Sequence, residues 1–196
     1  MIETPQLILR RWKDSDLEPF AQLNADPQVA EFLLKPLSRE ESDAWVGHMR
    51  AHLVERGFSY YAAELKNDGA FVGAIGISVP GYLTPFSPCV EIGWRILPVF
   101  WNRGLATEGA RAILRHASET LRLPEIVAFT VPTNLRSRRV MEKIGMVRDL
   151  AGDFDHPKVP VGHPLRRHVL YRWRNHNAGA QASAIDTALP FAKMEA

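Results

Sequence analysis

The spacing of apolar positions changes several times along the chain, and each change marks an element. Residues 6 to 12, QLILRRW, alternate between apolar and polar, which predicts an opening strand. Asp14 or Ser15 offers an N-cap for a short helix through Leu23, and Pro27 suits the first position of a second short helix. Ser38-Arg39-Glu40-Glu41 is a capping box that opens a longer helix, and Gly57 can end it. Residues 58 to 66, FSYYAAELK, and 70 to 79, AFVGAIGISV, read as strands joined through the hairpin turn Asn67-Asp68-Gly69. After a proline-rich loop, PGYLTPFSP, residues 89 to 97, CVEIGWRIL, alternate again. That strand puts Val90, Ile92, Trp94 and Ile96 on one face and Glu91, Gly93 and Arg95 on the other, and Pro98 ends it.

From Gly104 the period becomes three and four. Ala106, Ala110, Ile113, Ala117 and Leu121 predict an amphipathic helix to about Leu123, halted by Pro124. EIVAFTV, residues 125 to 131, reads as a buried strand, and Asn134 can cap a basic helix that runs to Ile144 and closes on Gly145. HVLYRW, residues 168 to 173, is a last strand, and the alanine-rich residues 177 to 196 read as a tail. The order of elements predicts one α/β domain over residues 1–174 with a C-terminal tail, 175–196, and no internal repeat.

Composition narrows the class. A chain of 196 residues, 46% hydrophobic and 23% charged, suits a single globular domain. One cysteine, Cys89, excludes an internal disulfide framework and a multi-cysteine zinc site. The first twenty residues hold no apolar signal core, and no run approaches the ~20 apolar residues of a spanning helix, so a cytoplasmic protein without a membrane partner is expected. A net charge of +2 is too mild to argue for nucleic acid. Two arginine clusters stand out, one from Arg136 to Arg148 and one from Arg166 to Arg174. They read as solvated faces, unless a phosphate seat lies nearby or RNA occupies them. His156, His163 and His168 match no helical ligand spacing, so no metal is expected.

The stretch WNRGLATEGARAIL, residues 101 to 114, carries the chemistry. A helix that starts Gly-Leu-Ala-Thr leaves bare amides at its positive end, which is a seat for phosphate. No Walker A sequence occurs. GLATEG matches a dinucleotide fingerprint, with Glu125 about twenty residues on, but Pro98 to Arg103 separate strand from glycine where that fold has none.

The runs EIGWRILPVFWNRGLATEGARAIL and TVPTNLRSRRVMEKIGM resemble the GNAT superfamily of N-acetyltransferases. Within it the chain is most similar to the branch containing the ribosomal-protein N-terminal acetyltransferases, over roughly residues 3 to 173. The resemblance implies a mixed, mostly antiparallel sheet, splayed between its central strands, with helices on both faces. It also implies acetyl-CoA as acetyl donor and a primary amine as acceptor, either a protein N-terminus or a small molecule. Transfer would be by direct attack in a ternary complex, in a monomer or homodimer.

The family's Gln/Arg-x-x-Gly-x-Gly/Ala loop falls on residues 101 to 106, with Trp101 in the Gln/Arg place and Gly104 and Ala106 at the small positions. Asn102 stands where this branch carries glycine, and asparagine tolerates a positive φ. By this match the amides of Arg103, Gly104, Leu105, Ala106 and Thr107 would hold the pyrophosphate. The Thr107 hydroxyl is either a further donor or an ordinary first-turn threonine, and Glu108 should turn away. Backbone groups of Ile96, Leu97 and Pro98 would bind the pantetheine arm, with the Ile96 amide polarising the thioester carbonyl.

Asn134 and Ser137 match the family's N-x-x-[AS], as contacts to the pantetheine amide and the departing sulfur; the plainer reading is a helix cap with a first-turn serine. Met141 stands where many members place a tyrosine acid. The proton source would then be Ser137 or a water it holds, and a non-catalytic acyl-CoA-binding regulatory module stays open. Glu91 is the candidate general base, its alternative being a pair with Arg95. Trp45, Tyr60, Tyr61, Tyr82 and Phe86 are candidates for the acceptor wall or for core packing.

Overall fold

The computed structural model describes residues 1–175, and their strands form one eight-stranded mixed sheet. The strands are β1 (Ile2–Glu3), β2 (Leu7–Arg10), β3 (Tyr60–Leu65), β4 (Phe71–Ser78), β5 (Glu91–Ile96), β6 (Glu125–Thr130), β7 (Val147–Asp155) and β8 (Arg167–Arg174). Their order is β1-β2-β3-β4-β5-β6-β8-β7, antiparallel everywhere except between β5 and β6. The helices are α1 (Leu17–Ala25), α2 (Pro27–Ala30), α3 (Arg39–Arg56), α4 (Leu105–Glu119) and α5 (Leu135–Lys143).

Strand alternation decides which helices cover which face. Leu7, Leu9, Ala63, Leu65, Ile75, Ile77 and Ile92 point to one side, where Leu105, Ala110, Ile113 and Ala117 of α4 pack against them. Ala62 and Ala74 point to the other, and their small size admits Trp12 from the loop after β2, Phe20 and Leu23 of α1, and Val46 and Met49 of α3. Trp12 and Phe20 meet edge to face with centroids 4.9 Å apart.

Local chemistry set most boundaries. The Ser38 hydroxyl accepts from the Glu41 amide while the Glu41 carboxylate accepts from the Ser38 amide, and Gly57 closes α3 at φ 78°. Asp26 caps α2, with Pro27 in its first turn. Asp14 to Asp16 form a 3-10 turn, so the α-helix proper begins only at Leu17. Helix α4 stops at Glu119 rather than near Leu123: Arg122 adopts φ 54°, and the Leu123 amide reaches back to the Ala117 carbonyl.

Strands β1 and β7 were not foreseen from the sequence. β1 is two residues long, and β7, VRDLAGDFD, is a sheet edge without an apolar face. Charge ties β7 to β8 instead, through Arg172 to Asp149 at 2.7 Å, while Arg148 and Asp153 pair at 2.5 Å within β7 itself. The second arginine cluster is therefore paired: Arg172 and Arg174 also meet Glu125, and Arg166 and Arg167 meet Asp155. Asn175 remains docked on the domain, its amide donating to the Pro124 carbonyl at 2.9 Å. The rest of the expected tail, residues 176–196, lies outside the described residues.

Candidate active site

The feature that positions the site is the parting of β5 and β6. They pair at one position, Glu91 opposite Val127, with the Val127 amide donating to the Val90 carbonyl at 2.9 Å. Beyond it the strands diverge and open a cleft of about 860 Å³. Glu91, Ile96, Gly104, Leu105, Ala106, Thr107, Asn134 and Ser137 all line this cleft, so residues spread over 47 positions of sequence come together. Leu97, Pro98 and Arg103 do not line it.

At one end lies the start of α4. Asn102 and Gly104 both adopt left-handed backbone, φ 60° and 80°, which turns the chain into the helix. The ladder begins with the Glu108 amide on the Gly104 carbonyl at 3.0 Å, so the amides of Leu105, Ala106 and Thr107 lie outside it. Glu108 does turn away: its carboxylate accepts from the Thr4 hydroxyl at 2.5 Å, the Gln6 amide at 2.7 Å and the Gln6 side chain at 2.7 Å. Burial pushes its pKa up, but these hydrogen bonds outweigh burial and leave it below the ordinary value. The anion seat is thus free of its nearest carboxylate. Arg139 and Lys143 line the cleft nearby, and Arg111, Arg115 and Lys143 border an adjoining depression beside Gly104 and Thr107.

Along the splayed strand, backbone direction separates Ile96 from its neighbour. The Leu97 amide donates to the Val72 carbonyl at 3.0 Å, within the β4 side of the sheet. By alternation the Ile96 amide points the other way, toward the gap left by β6. The Ile96 carbonyl accepts from Trp101 Nε1 at 2.7 Å, which fixes that strand end. The Leu97 amide and carbonyl serve β4 and the 3-10 turn Pro98–Phe100. Pro98 starts that turn, and the Arg103 guanidinium stacks 5.3 Å from the Phe100 ring centre.

Helix α5 supplies the opposite wall. Asn134 Oδ1 accepts from the Ser137 amide at 3.1 Å, and Asn134 Nδ2 donates to the Thr130 hydroxyl at 3.1 Å, so Asn134 acts as a helix cap. The same bond fixes the backbone of Ser137 at the cleft wall. Met141 is buried one turn on. Arg136 reaches across the mouth, stacking 4.3 Å from the Trp101 ring centre and pairing with Glu31 at 2.9 Å.

Glu91 stands at the far end, where β5 and β6 still meet. Its side chain has no hydrogen bond or ion pair among the described residues, and burial alone raises its pKa to about 8. The alternative pairing is not formed: Arg95 turns to the Asn24 side-chain oxygen and lies 5.9 Å from the Trp45 ring centre. Trp45, Tyr60 and Tyr82 line the cleft, whereas Tyr61 belongs to the core on the α4 face and Phe86 packs on Phe129 and Phe154. The Tyr82 hydroxyl meets His156 Nε2 at 2.9 Å, joining the proline-rich loop to the β7–β8 connection. Sequence reading missed Arg95 as a cleft residue and His156 as Tyr82's partner. The signal for Arg95 was its place on the same strand face as Glu91.

Among the described residues no group of three or more His, Cys, Asp or Glu side chains could hold a metal ion, and no helix is long and apolar enough to cross a membrane.

Comparison with known proteins agrees with this geometry. The model of the acetyltransferase (GNAT) domain family matches residues 6–147. The uncharacterized N-acetyltransferase YnaD of Bacillus subtilis is 28% identical over 149 residues, 76% of this chain and 83% of that one. The FsC-acetyl coenzyme A-N(2)-transacetylase of Aspergillus fumigatus is 32% identical over 134 residues, 64% of this chain and 55% of that one. The crystal structure of an acetyltransferase from Agrobacterium tumefaciens superposes with a TM-score of 0.71 at 28% identity, covering 88% of this chain and 93% of that one. With a splayed mixed sheet, an open helix start at the gap and a family model spanning most of the domain, the chain belongs to the GNAT acetyltransferase family.

Proposed function

We propose that this chain is a cytoplasmic N-acetyltransferase that passes acetyl from acetyl-CoA to a primary amine, a protein N-terminus or a small-molecule amine, by direct attack in a ternary complex. The observation that carries the reading is Glu91, an unpartnered carboxylate with its pKa near 8 in the same cleft as the open amides of α4. A base whose pKa lies near that of an α-amino group suits removal of the amine proton as both ionise toward pH 8.

The donor end fits acetyl-CoA. Amides at Leu105, Ala106 and Thr107 suit a pyrophosphate, and Arg139 and Lys143 suit its charge. The pantetheine arm would follow the gap between β5 and β6, presenting the thioester carbonyl to the Ile96 amide. The amine nitrogen bonds to the carbonyl carbon, and the Ile96 amide steadies the oxyanion. Glu91 takes the amine proton, directly or through water. The carbon–sulfur bond then breaks, and Ser137, or a water it holds, protonates the departing thiolate. The match of W-x-x-G-x-A-T-E to the ribosomal-protein branch supports a protein N-terminus among the acceptors. The free Glu91 favours catalysis over a binding-only module, despite Met141.

The test is thiol release from acetyl-CoA with and without a panel of free amines and peptides, with the product identified by mass. Amine-dependent thiol release matched by N-acetylated product is expected. Acetyl-CoA binding with no transfer to any amine would instead support the module.

A further inference from the structure

The floor of the cleft opposite the α4 face carries a row of polar groups from one side of β5. Glu91, Gly93 and Arg95 alternate onto that side, and the Tyr60 hydroxyl lies over Gly93, filling the place of the missing side chain. At one end is an acid without a base, and at the other a guanidinium without an acid. Among the described residues the Arg95 side chain bonds only to the neutral Asn24 side chain, which itself donates to the Ser42 hydroxyl at 2.8 Å, and it flanks Trp45. Burial lowers its pKa, with Tyr60 pushing the other way. Glu91 is the one carboxylate among the described residues lining the cleft.

A buried cation held by a neutral oxygen, with donors still facing a cleft, is an incomplete ion pair. A polyamine or other multiply charged cation would meet a single carboxylate and be repelled by Arg95. A ligand carrying one amine and one carboxylate would complete both ends.

Resting on the acetyltransferase reading, we infer that the acceptor is an amine that also bears a carboxylate, which Arg95 and the Tyr60 hydroxyl bind while the amine faces Glu91. Two sources share this chemistry: a free amino acid, and a peptide N-terminus with an acidic residue close behind it. Four residues of strand separate the α-carbons of Glu91 and Arg95, about 13 Å, and Arg95 turns toward Asn24, so a peptide whose acid lies two residues behind its amine matches the span directly, whereas a free amino acid reaches both ends only with water bridging one of them.

The experiment compares matched probes with acetyl-CoA as donor. One pair is L-phenylalanine against phenethylamine, which differs by the carboxylate. The other is a free-amine hexapeptide with aspartate at its third position against the same peptide with asparagine there. The acid-bearing member of at least one pair is expected to be favoured about tenfold in kcat/KM, and which pair shows it identifies the source. R95Q should reduce that ratio to near one, and R95K should restore part of it, with circular dichroism confirming that both variants fold. Ratios near one in both pairs for the wild type, or a preference that survives in R95Q, overturn the inference. Transfer to phenethylamine alone also overturns it while leaving the acetyltransferase reading in place. Failure to bind acetyl-CoA at all would instead remove the reading beneath it.

Discussion

The Tyr60 hydroxyl occupies the space that a β-carbon on Gly93 would need, so a glycine on one strand and a phenol on its second neighbour together shape the middle of the cleft. This contact explains a glycine inside a strand, where it otherwise weakens packing.

Gly93→Ala should displace Tyr60 toward the cleft and lower kcat/KM for the amine, with only a modest loss of stability, because the colliding atom ends a side chain. Gly76→Ala makes the opposite case. Its β-carbon would collide with the backbone of Ser59 and Tyr60, which cannot swing aside. Thermal unfolding should show Gly76→Ala the less stable of the two by several degrees, and the reverse order would contradict this placement.

Glu91→Gln should cut kcat by roughly 10²- to 10⁴-fold, the usual contribution of a positioned base. In the wild type, log kcat/KM below pH 8 should fall with a slope approaching two, one proton for the amine and one for Glu91, and the variant should reduce the slope to one. Stability carries the opposite sign. The folded chain holds the Glu91 proton up to about pH 8, while the unfolded chain releases it near 4.5. Wild-type stability therefore declines as pH rises between those values, and Glu91→Gln removes that decline.

Glu108 ties the α4 start to the β1–β2 turn. Glu108→Ala should cost on the order of 1 kcal/mol, chiefly through the part-buried Thr4 hydroxyl that loses its acceptor, since water can reach the exposed Gln6 donors. Hydrogen bonding holds the Glu108 pKa below the ordinary value, so this stabilisation is present above that value and fades as pH falls through the folded one. Denaturant melts at pH 7 and pH 3 should show the gap between wild type and variant shrinking in acid.

Much of this architecture was legible where a side chain acts on its own backbone. Ser38 and Glu41, Gly57, Pro27 and Asn134 marked helix ends, and alternation placed Glu91 opposite the core. Asn102 was read as tolerant of positive φ and adopts it, and Glu108 turns from the anion seat as its charge required. What stayed hidden depends on distant partners. β7 is held by arginines from β8, Leu97 is claimed by Val72, and Arg95 is drawn from Glu91 by Asn24, which lies 71 positions earlier. No local pattern records such choices.

The central claim rests on the helix start at Gly104 as the seat of acetyl-CoA, and calorimetric titration tests it directly. Wild type and Gly104→Glu, the latter placing a strained side chain and a negative charge at the open end of α4, would each be titrated with acetyl-CoA and with NADH. The account predicts micromolar binding of acetyl-CoA by the wild type, at least about tenfold weaker binding by the variant, and none of NADH. Equal binding of acetyl-CoA by both proteins, or by neither, would contradict it.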